Sequence, residues 1–258
     1  MNQSYWIADA FATRPFEGNP AAVCVLESPA TPDWMQVVAC EFNLSETAFL
    51  SPRSEGVWDL RWFTPTVEVD LCGHATLAAT AVLGHLGCLS PGGEAQYHTL
   101  SGVLRAWVGP DEVTLDFPSE PVEEASLPEL QDALGEPVRW AGRNPMDMLV
   151  DLDTERRVRY LRPNLEALAE LDARGVIVTA RANHDDYDVV SRFFAPTCGV
   201  PEDPVTGSAH CALAPYWSGK LGRAELMGYQ ASRRGGYVRM TQAGDRVLLG
   251  GRVQLIAQ

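Results

Sequence analysis

Residues 70–84 read DLCGHATLAATAVLG, and this stretch decides how the rest of the chain is organised. Every residue from 75 to 83 is apolar or a threonine, and none is charged. A helix that is apolar on all sides lies inside a protein rather than on its surface. It is also too short to cross a membrane, which takes about 20 apolar residues. The stretch therefore predicts a buried central helix.

The predicted helix begins at a cysteine, a glycine and a histidine, Cys72, Gly73 and His74. The first turn of a helix leaves backbone N–H groups unpaired, and the helix dipole favours negative charge there. A buried helix that starts at these residues provides an anion site with titratable groups beside it. The alternative is a core helix whose histidine is simply hydrogen-bonded, and the stretch alone leaves both interpretations open.

The same construction occurs twice along the chain. RWFTPT at 61–66 precedes the first apolar stretch, and RFFAPT at 192–197 precedes a second one at 207–217. Two predicted strands lie upstream of each copy. A repeat with so long a period indicates two related domains rather than a solenoid.

We predict an N-terminal domain at 1–118 and a C-terminal domain at 119–258, with the acidic, proline-rich stretch 118–128 as the linker. The last strand, near 250–258, can return to the first domain. Two such domains would place two helix N-termini across a cleft, where small ligands commonly bind. Many short strands with two apolar helices predict an α+β fold. In each pseudo-symmetric domain a curved, mostly antiparallel sheet or barrel would wrap round one central helix.

Composition excludes several classes of partner. The 258 residues carry a formal charge of −14, whereas a nucleic-acid partner or an anionic membrane surface would require a basic patch. An anionic small molecule remains possible, because helix termini act at short range. The first nine residues lack the features of a signal peptide, and the six cysteines show no CxxC spacing. We therefore expect a cytoplasmic protein with reduced thiols.

Local patterns predict further elements. Residues 32–42 suit a helix that Thr31 caps, with an apolar side made of Trp34, Val37, Val38 and Phe42. The apolar run 158–161 is typical of a strand. Residues 164–172 suit a helix capped by Asn164.

Several motifs are absent from the sequence. There is no GxGxxG after a strand, no GxxxxGK[ST], no HExxH and no GxSxG. The run His184-Asp185-Asp186 is interpreted as a hairpin loop rather than a metal site. We therefore predict a site that uses neither a cofactor nor a metal ion.

Two carboxylates directly precede predicted elements, one before a strand and one before the second apolar helix. Glu46 is the only acid between residues 42 and 55 and directly precedes an apolar strand. Asp203 lies just before the second apolar helix, which should begin near Gly207 with Ser208 in its first turn, so exposed N–H groups would stabilise its charged form. Either carboxylate can instead be a structural cap. Pairing Asp203 with His74 across the cleft favours a functional site.

These segments together resemble one protein family, the PhzF-like (phenazine biosynthesis-like) proteins. The motifs that carry the resemblance are DAF at 9–11, FEGNPAAV at 16–23, NLSET at 43–47, FTP at 63–65, CGHAT at 72–76 and EDPVTGSA at 202–209. The resemblance implies the diaminopimelate-epimerase-like fold and a homodimer. The enzyme that gives the family its name isomerises trans-2,3-dihydro-3-hydroxyanthranilate without a cofactor. The resemblance therefore implies an isomerase for a small carboxylate-bearing substrate in a biosynthetic process.

The resemblance also assigns roles to residues that match the motifs. The acid/base glutamate falls on Glu46, which should then titrate nearer neutrality than a free glutamate. The other catalytic residues implied are His74 and Asp203. The implied substrate-binding residues are Asn19, Gly73, Gly207 and Ser208, with the two glycines donating backbone N–H groups to the substrate carboxylate.

Related racemases and epimerases use two facing cysteines, and this chain has one candidate, Cys72. We align the second cysteine with Pro204, so a two-thiol racemase is disfavoured. Two alternatives to the glutamate isomerase stay open. One is an epimerase that uses Cys72 with a partner that is not a thiol. The other is a catalytically silent small-molecule binding or interaction protein on the same fold.

Overall fold

The computed structural model describes residues 4–258, so the first three residues of the predicted first domain lie outside it. The described part folds into a mixture of short strands and α-helices. The strands are β1 Tyr5–Ala10, β2 Asn19–Val25, β3 Glu46–Ser54, β4 Val57–Phe63, β5 Glu68–Val69, β6 Glu94–Thr99, β7 Gly102–Val108, β8 Val113–Pro118, β9 Glu123–Glu124, β10 Trp140–Arg143, β11 Asp147–Asp151, β12 Gly175–Arg181, β13 Val189–Ala195, β14 Val200–Asp203, β15 Glu225–Gln230, β16 Gly236–Ala243, β17 Arg246–Gly251 and β18 Val253–Ala257. The helices are α1 Pro32–Phe42, α2 Gly73–His85, α3 Glu129–Leu134, α4 Glu155–Tyr160, α5 Leu165–Ala169 and α6 Gly207–Leu221. This is the α+β composition that the sequence predicts.

The chain divides into two compact units. The first comprises Met1–Phe117 with Gly250–Gln258, and the second comprises Pro118–Leu249. The C-terminal segment belongs to the first unit because β18 pairs antiparallel with β1, with Ala8 opposite Leu255. The second unit therefore ends at Leu249 and not at residue 258.

The first unit wraps its strands round α2. Strand β2 runs parallel to β3, β3 is antiparallel to β4, β4 is parallel to β6, and β6, β7 and β8 continue as antiparallel neighbours. Helix α2 packs against β1, β2, β3, β7 and β18. Nine of its 13 residues are buried, as its composition predicts.

The second unit repeats this pairing scheme. Strand β11 runs parallel to β12, β12 is antiparallel to β13, β13 is parallel to β15, and β15 is antiparallel to β16. Helix α6 packs against β15 and β16, and eight of its 15 residues are buried. The sequence repeat therefore corresponds to a repeat of strand order and direction.

One ion pair recurs at matching positions and fixes the register of the repeat. The Arg61 guanidinium donates two hydrogen bonds of 2.7 Å to Glu68. Arg192 donates to Glu202 in the same two-pronged way, at 2.7 and 2.9 Å. Each glutamate precedes its helical glycine by five residues. We therefore equate residues 68–74 with residues 202–208.

Two local predictions need correction. Thr31 caps α1, as predicted, by accepting from the Trp34 N–H, but the helix buries Met35 and Ala39 and leaves Val37 exposed. Residues 158–161 are not a strand. Residues 155–160 form α4, because Thr154 caps a helical turn.

Two further observations concern the cysteines and the length of the helices. All six cysteines are free thiols. Among residues 4–258, none of the helices combines the length and the apolar character that a membrane span needs.

Candidate active site

The start of α2 brings three predicted site residues together. Cys72 is the N-cap residue, in an extended conformation, and Gly73 and His74 form the first turn. Cys72 and His74 are buried, with 7% and 5% of their surfaces exposed. No side chain caps the helix, so its first N–H groups face the space beside these residues.

The parallel pair of strands β2 and β3 supplies two more site residues. Asn19 is the first residue of β2, and Glu46 is the first residue of β3, beside Ala21. The His74 Nε2 atom lies 3.2 Å from Glu46 Oε2, and the imidazole Nδ1 lies 3.3 Å from the Asn19 amide nitrogen. The Cys72 sulfur is 3.5 Å from the same Nδ1. The five residues predicted in the first unit thus form one cluster.

His74 is a neutral imidazole. Burial removes water from the charged ring and lowers the pKa of His74 to about 3. The Asn19 amide nitrogen lies 3.3 Å from Nδ1, and with this nitrogen as the donor Nδ1 is the acceptor. In that tautomer the proton is on Nε2, the ring nitrogen 3.2 Å from Glu46 Oε2.

A strained turn fixes Asn19. Phe11 and Phe16 have φ of 60° and 71°, which non-glycine residues seldom adopt. The Phe16 N–H donates to the buried Asp9 carboxylate at 2.7 Å, and this bond holds the turn. At Gly18, with φ of 66°, an added Cβ would lie 2.1 Å from the Ala10 carbonyl oxygen, so only glycine fits.

The start of α6 gathers the residues predicted in the second unit. Thr206 is the N-cap residue, Gly207 begins the helix, and Ser208 lies in its first turn, as predicted. Asp203 ends β14 and accepts a 2.5 Å hydrogen bond from the Thr206 hydroxyl. The buried Gln230 amide braces this corner by accepting from the Thr206 N–H and donating to the Asp203 carbonyl.

One residue of this corner is missing from the sequence-based set. Arg174 donates two hydrogen bonds to the buried Asp147 carboxylate, and its Nη2 also donates to Ser208 Oγ at 2.9 Å. Because Ser208 accepts this bond, its own hydroxyl proton remains available for a ligand. Its place in the sequence could have indicated a site residue, because Arg174 directly precedes β12, the strand that corresponds to β3 in the repeat.

The register corrects our alignment of the second racemase cysteine. Counting from the two helical glycines, Cys72 corresponds to Thr206, and Pro204 corresponds to Asp70. The alignment with Pro204 is therefore wrong by two residues. Thr206, the residue that corresponds to Cys72 in the repeat, is not a thiol either.

Comparisons with known proteins identify relatives of this chain. A family model described as phenazine biosynthesis-like protein matches residues 8–257. An uncharacterized isomerase of Halalkalibacterium halodurans is 49% identical, and the match covers 96% of this chain and 94% of that protein.

Solved structures show the same fold. A crystal structure of a PhzF-family phenazine biosynthesis protein from Enterococcus faecalis superposes with a TM-score of 0.95 at 42% identity, covering 100% of this chain and 98% of that one. A probable proline racemase from Agrobacterium radiobacter K84 has a TM-score of 0.65 at 13% identity, covering 99% and 92%. The fold is therefore of the diaminopimelate-epimerase-like type shared by this isomerase and epimerase group. With a family match over nearly its whole length, the chain belongs to the phenazine biosynthesis-like (PhzF) family.

Proposed function

We propose that this protein is a cofactor-independent isomerase that moves a proton on a small carboxylate-bearing substrate, with Glu46 as the acid/base. Membership of the family and relatives named as isomerases support the reaction class. The substrate class and the role of Glu46 as proton carrier are proposed from the family resemblance together with the contacts of the site residues.

The contact between Glu46 and His74 carries the proposal. His74 Nε2 and Glu46 Oε2 are 3.2 Å apart but do not form an aligned hydrogen bond, so a proton on Nε2 stabilises the nearby carboxylate through the dipole of the N–H group. The Glu46 side chain is 20% exposed, whereas that of His74 is 6% exposed, so a ligand can reach the carboxylate more readily than the ring. In this scheme Glu46 takes and returns the proton, and His74 orients Glu46.

The residues at the start of α6 suit recognition of the substrate anion. The first N–H groups of this helix, the Ser208 hydroxyl and the Arg174 guanidinium are all hydrogen-bond donors. We propose that they bind the substrate carboxylate and that Asp203 orients a polar substituent.

A thiol epimerase is the second candidate, favoured by one observation. The Cys72 sulfur lies 3.5 Å from His74 Nδ1, close enough for the imidazole to accept the thiol proton. Thr206 occupies the matching position, so such an epimerase would need a proton donor that is not a thiol.

Hydrogen–deuterium exchange at carbon tests the proposal. A panel of small unsaturated and hydroxylated carboxylic acids is incubated with the protein in D₂O, and deuterium uptake is followed by NMR. Uptake should fall by at least about 10²-fold in Glu46→Gln, as expected for the loss of a general acid–base group, while calorimetry shows little change in affinity. The exposed Glu55 is the matched control, and Glu55→Gln should exchange at the native rate. Native exchange rates in Glu46→Gln would refute the assignment of Glu46.

A further inference from the structure

The start of α2 contains a cluster of potential metal ligands, and the proposed reaction does not require a metal ion there. The Cys72 sulfur, a ring nitrogen of His74 and a carboxylate oxygen of Glu46 all lie within 4.8 Å of one another. Thiolate and imidazole are the ligands that Zn²⁺ favours in proteins, and a carboxylate beside the other ring nitrogen is a common partner of a zinc-bound histidine.

The separation of Cys72 and His74 matches a tetrahedral zinc ion. Zinc bonds of about 2.3 Å to sulfur and about 2.0 Å to nitrogen, at a tetrahedral angle, put the two ligand atoms about 3.5 Å apart. The Cys72 sulfur and His74 Nδ1 are 3.5 Å apart. Because Nδ1 is the unprotonated nitrogen, it can ligate the ion without a change of tautomer.

The surroundings favour the charge state that a metal ion requires. A metal-bound cysteine is a thiolate, and the N-terminus of a helix such as α2 stabilises negative charge. The opposite ring nitrogen, Nε2, lies 3.2 Å from Glu46 Oε2, and a carboxylate that accepts from this nitrogen orients metal-bound histidines in many proteins. The Asn19 amide also faces Nδ1, so an incoming ion must displace it.

We propose that Cys72 and His74, assisted by Glu46, bind Zn²⁺ and that zinc thereby inhibits the enzyme. The inhibition rests on the proposed function, because the ion immobilises the groups that are assigned to proton transfer. Hard cations such as Mg²⁺ prefer oxygen ligands and should neither bind here nor compete.

Cobalt substitution tests binding without any need for a substrate. Co²⁺ is titrated into the native protein under reducing, anaerobic conditions, and the near-ultraviolet sulfur-to-cobalt charge-transfer band is recorded. We expect a saturable band at one ion per chain that stoichiometric Zn²⁺ abolishes and excess Mg²⁺ leaves intact.

Four variants assign the ligands. The band should disappear in Cys72→Ser, and the affinity should fall by about 10-fold or more in Glu46→Gln and in His74→Gln. Cys40 is an exposed thiol on α1 of the same unit, and Cys40→Ser should give the native spectrum. The absence of a band in the native protein, or a band that survives in Cys72→Ser, would overturn the proposal.

An activity measurement completes the test. Zn²⁺ should stop deuterium exchange by the native protein, and EDTA should restore it. Exchange by the metal-free protein together with no cobalt band refutes the zinc site alone. A cobalt band in a protein that exchanges no substrate refutes the isomerase alone.

Discussion

The starts of α2 and α6 occupy matching places in two units of the same topology, yet they differ at almost every residue that can carry chemistry. The first reads Cys-Gly-His and the second reads Thr-Gly-Ser, so only the glycine is shared. The glycine lets a ligand approach the backbone N–H groups, which both helices present. The flanking residues differ in kind, since a thiol and an imidazole are replaced by two hydroxyls.

The strands before the two helices also differ in where they carry a carboxylate. In the first unit Ala21 faces Glu46 across the parallel pair, and in the second Asp147 faces Gly175. The position of Glu46, the proposed acid/base, is therefore a glycine in the repeat. Conversely, Asp203 corresponds to Val69, so the second unit has a carboxylate where the first unit has an apolar residue.

This contrast shows that two units with the same strand topology can carry different functional side chains. The strand register and the Arg–Glu ion pair are shared, whereas the polar side chains at the helix starts are not. We infer that the first unit transfers the proton and the second holds the substrate anion. The following predictions test that division of roles, from the largest expected effect to the smallest.

Exchanging the two carboxylates for amides should affect the units unequally. Glu46→Gln should lower turnover by at least about 10²-fold, or about 2.7 kcal/mol in barrier height, because it removes the proton carrier. Asp203→Asn should lower it by about 10-fold, because only orientation is lost. Steady-state exchange rates measure both. A larger loss in Asp203→Asn than in Glu46→Gln would reverse the assignment of roles.

Acid should destabilise the protein through His210, a buried residue of α6. Burial lowers the pKa of His210 to about 4, and its Nδ1 lies 2.8 Å from the Thr206 carbonyl oxygen. An unfolded histidine titrates near 6.5, so between about pH 6.5 and pH 4 only the unfolded chain gains this proton. The free energy of unfolding should therefore fall with decreasing pH by up to about 1.4 kcal/mol per pH unit from this group.

Urea unfolding at several pH values measures this contribution. His210→Gln should have a shallower acid dependence than the native protein. His184 is the control, because its side chain is 48% exposed, so His184→Gln should keep the native slope. An unchanged slope in His210→Gln would show that the histidine is already protonated in the folded state or hydrated.

Gly175 should resist any side chain at the position where the first unit has Glu46. An added Cβ would lie 2.3 Å from the Phe193 ring, which is buried. Gly175→Ala should therefore destabilise the protein by about 1–3 kcal/mol. Gly219 in α6 is the control because nothing lies within 4 Å of its added Cβ, and Gly219→Ala should stabilise by up to about 1 kcal/mol. Equal stability of the two variants would show that the second unit tolerates a side chain there.

Arg174 tests whether the second unit holds the anion. Lysine keeps the charge beside the buried Asp147 but lacks the planar fork with which Arg174 donates two hydrogen bonds to Asp147 and one to Ser208. Arg174→Lys should raise KM by about 10-fold with kcat nearly unchanged, since a positioning contact is lost. Arg139, which pairs with Asp153 on the surface, is the control, and Arg139→Lys should leave both constants unchanged. A fall in kcat alone would contradict an anion-binding role.

The two helix starts were predictable because a run of residues without charge, opened by Gly73 or Gly207, permits little other than a buried helix. The α1 cap was predictable because Thr31 and Pro32 act within a few residues. Short segments were less predictable. The run 158–161 has too few residues to show a period, and the Thr154 cap decides its structure.

Arg174 shows why part of the site escaped sequence analysis. Its partners Asp147 and Ser208 are 27 and 34 residues away, and no local pattern brings them together. By contrast, Cys72 and His74 are two residues apart, so their contact follows from the helix start itself. Glu46, which strand pairing brings to His74, was assigned to the site only through the family resemblance, and its contact with His74 was not predicted.

The smallest effect should come from Cys72, and it separates the glutamate mechanism from a thiol mechanism. Cys72 is the N-cap residue of α2, and serine is a favoured N-cap residue. The Cys72→Ser variant should therefore keep the native fold. If Glu46 carries the proton, Cys72→Ser should change deuterium exchange by less than about 3-fold, far below the 10²-fold expected for a general acid–base group. If the thiol is the base, deuterium exchange should collapse, because a serine hydroxyl is a far weaker base than a thiolate.

Cys24 is the control for an activity loss that comes only from replacing a buried thiol. It lies in β2, and burial raises its pKa to about 12. A collapse in Cys72→Ser with native rates in both Cys24→Ser and Glu46→Gln would establish the thiol epimerase in place of the isomerase.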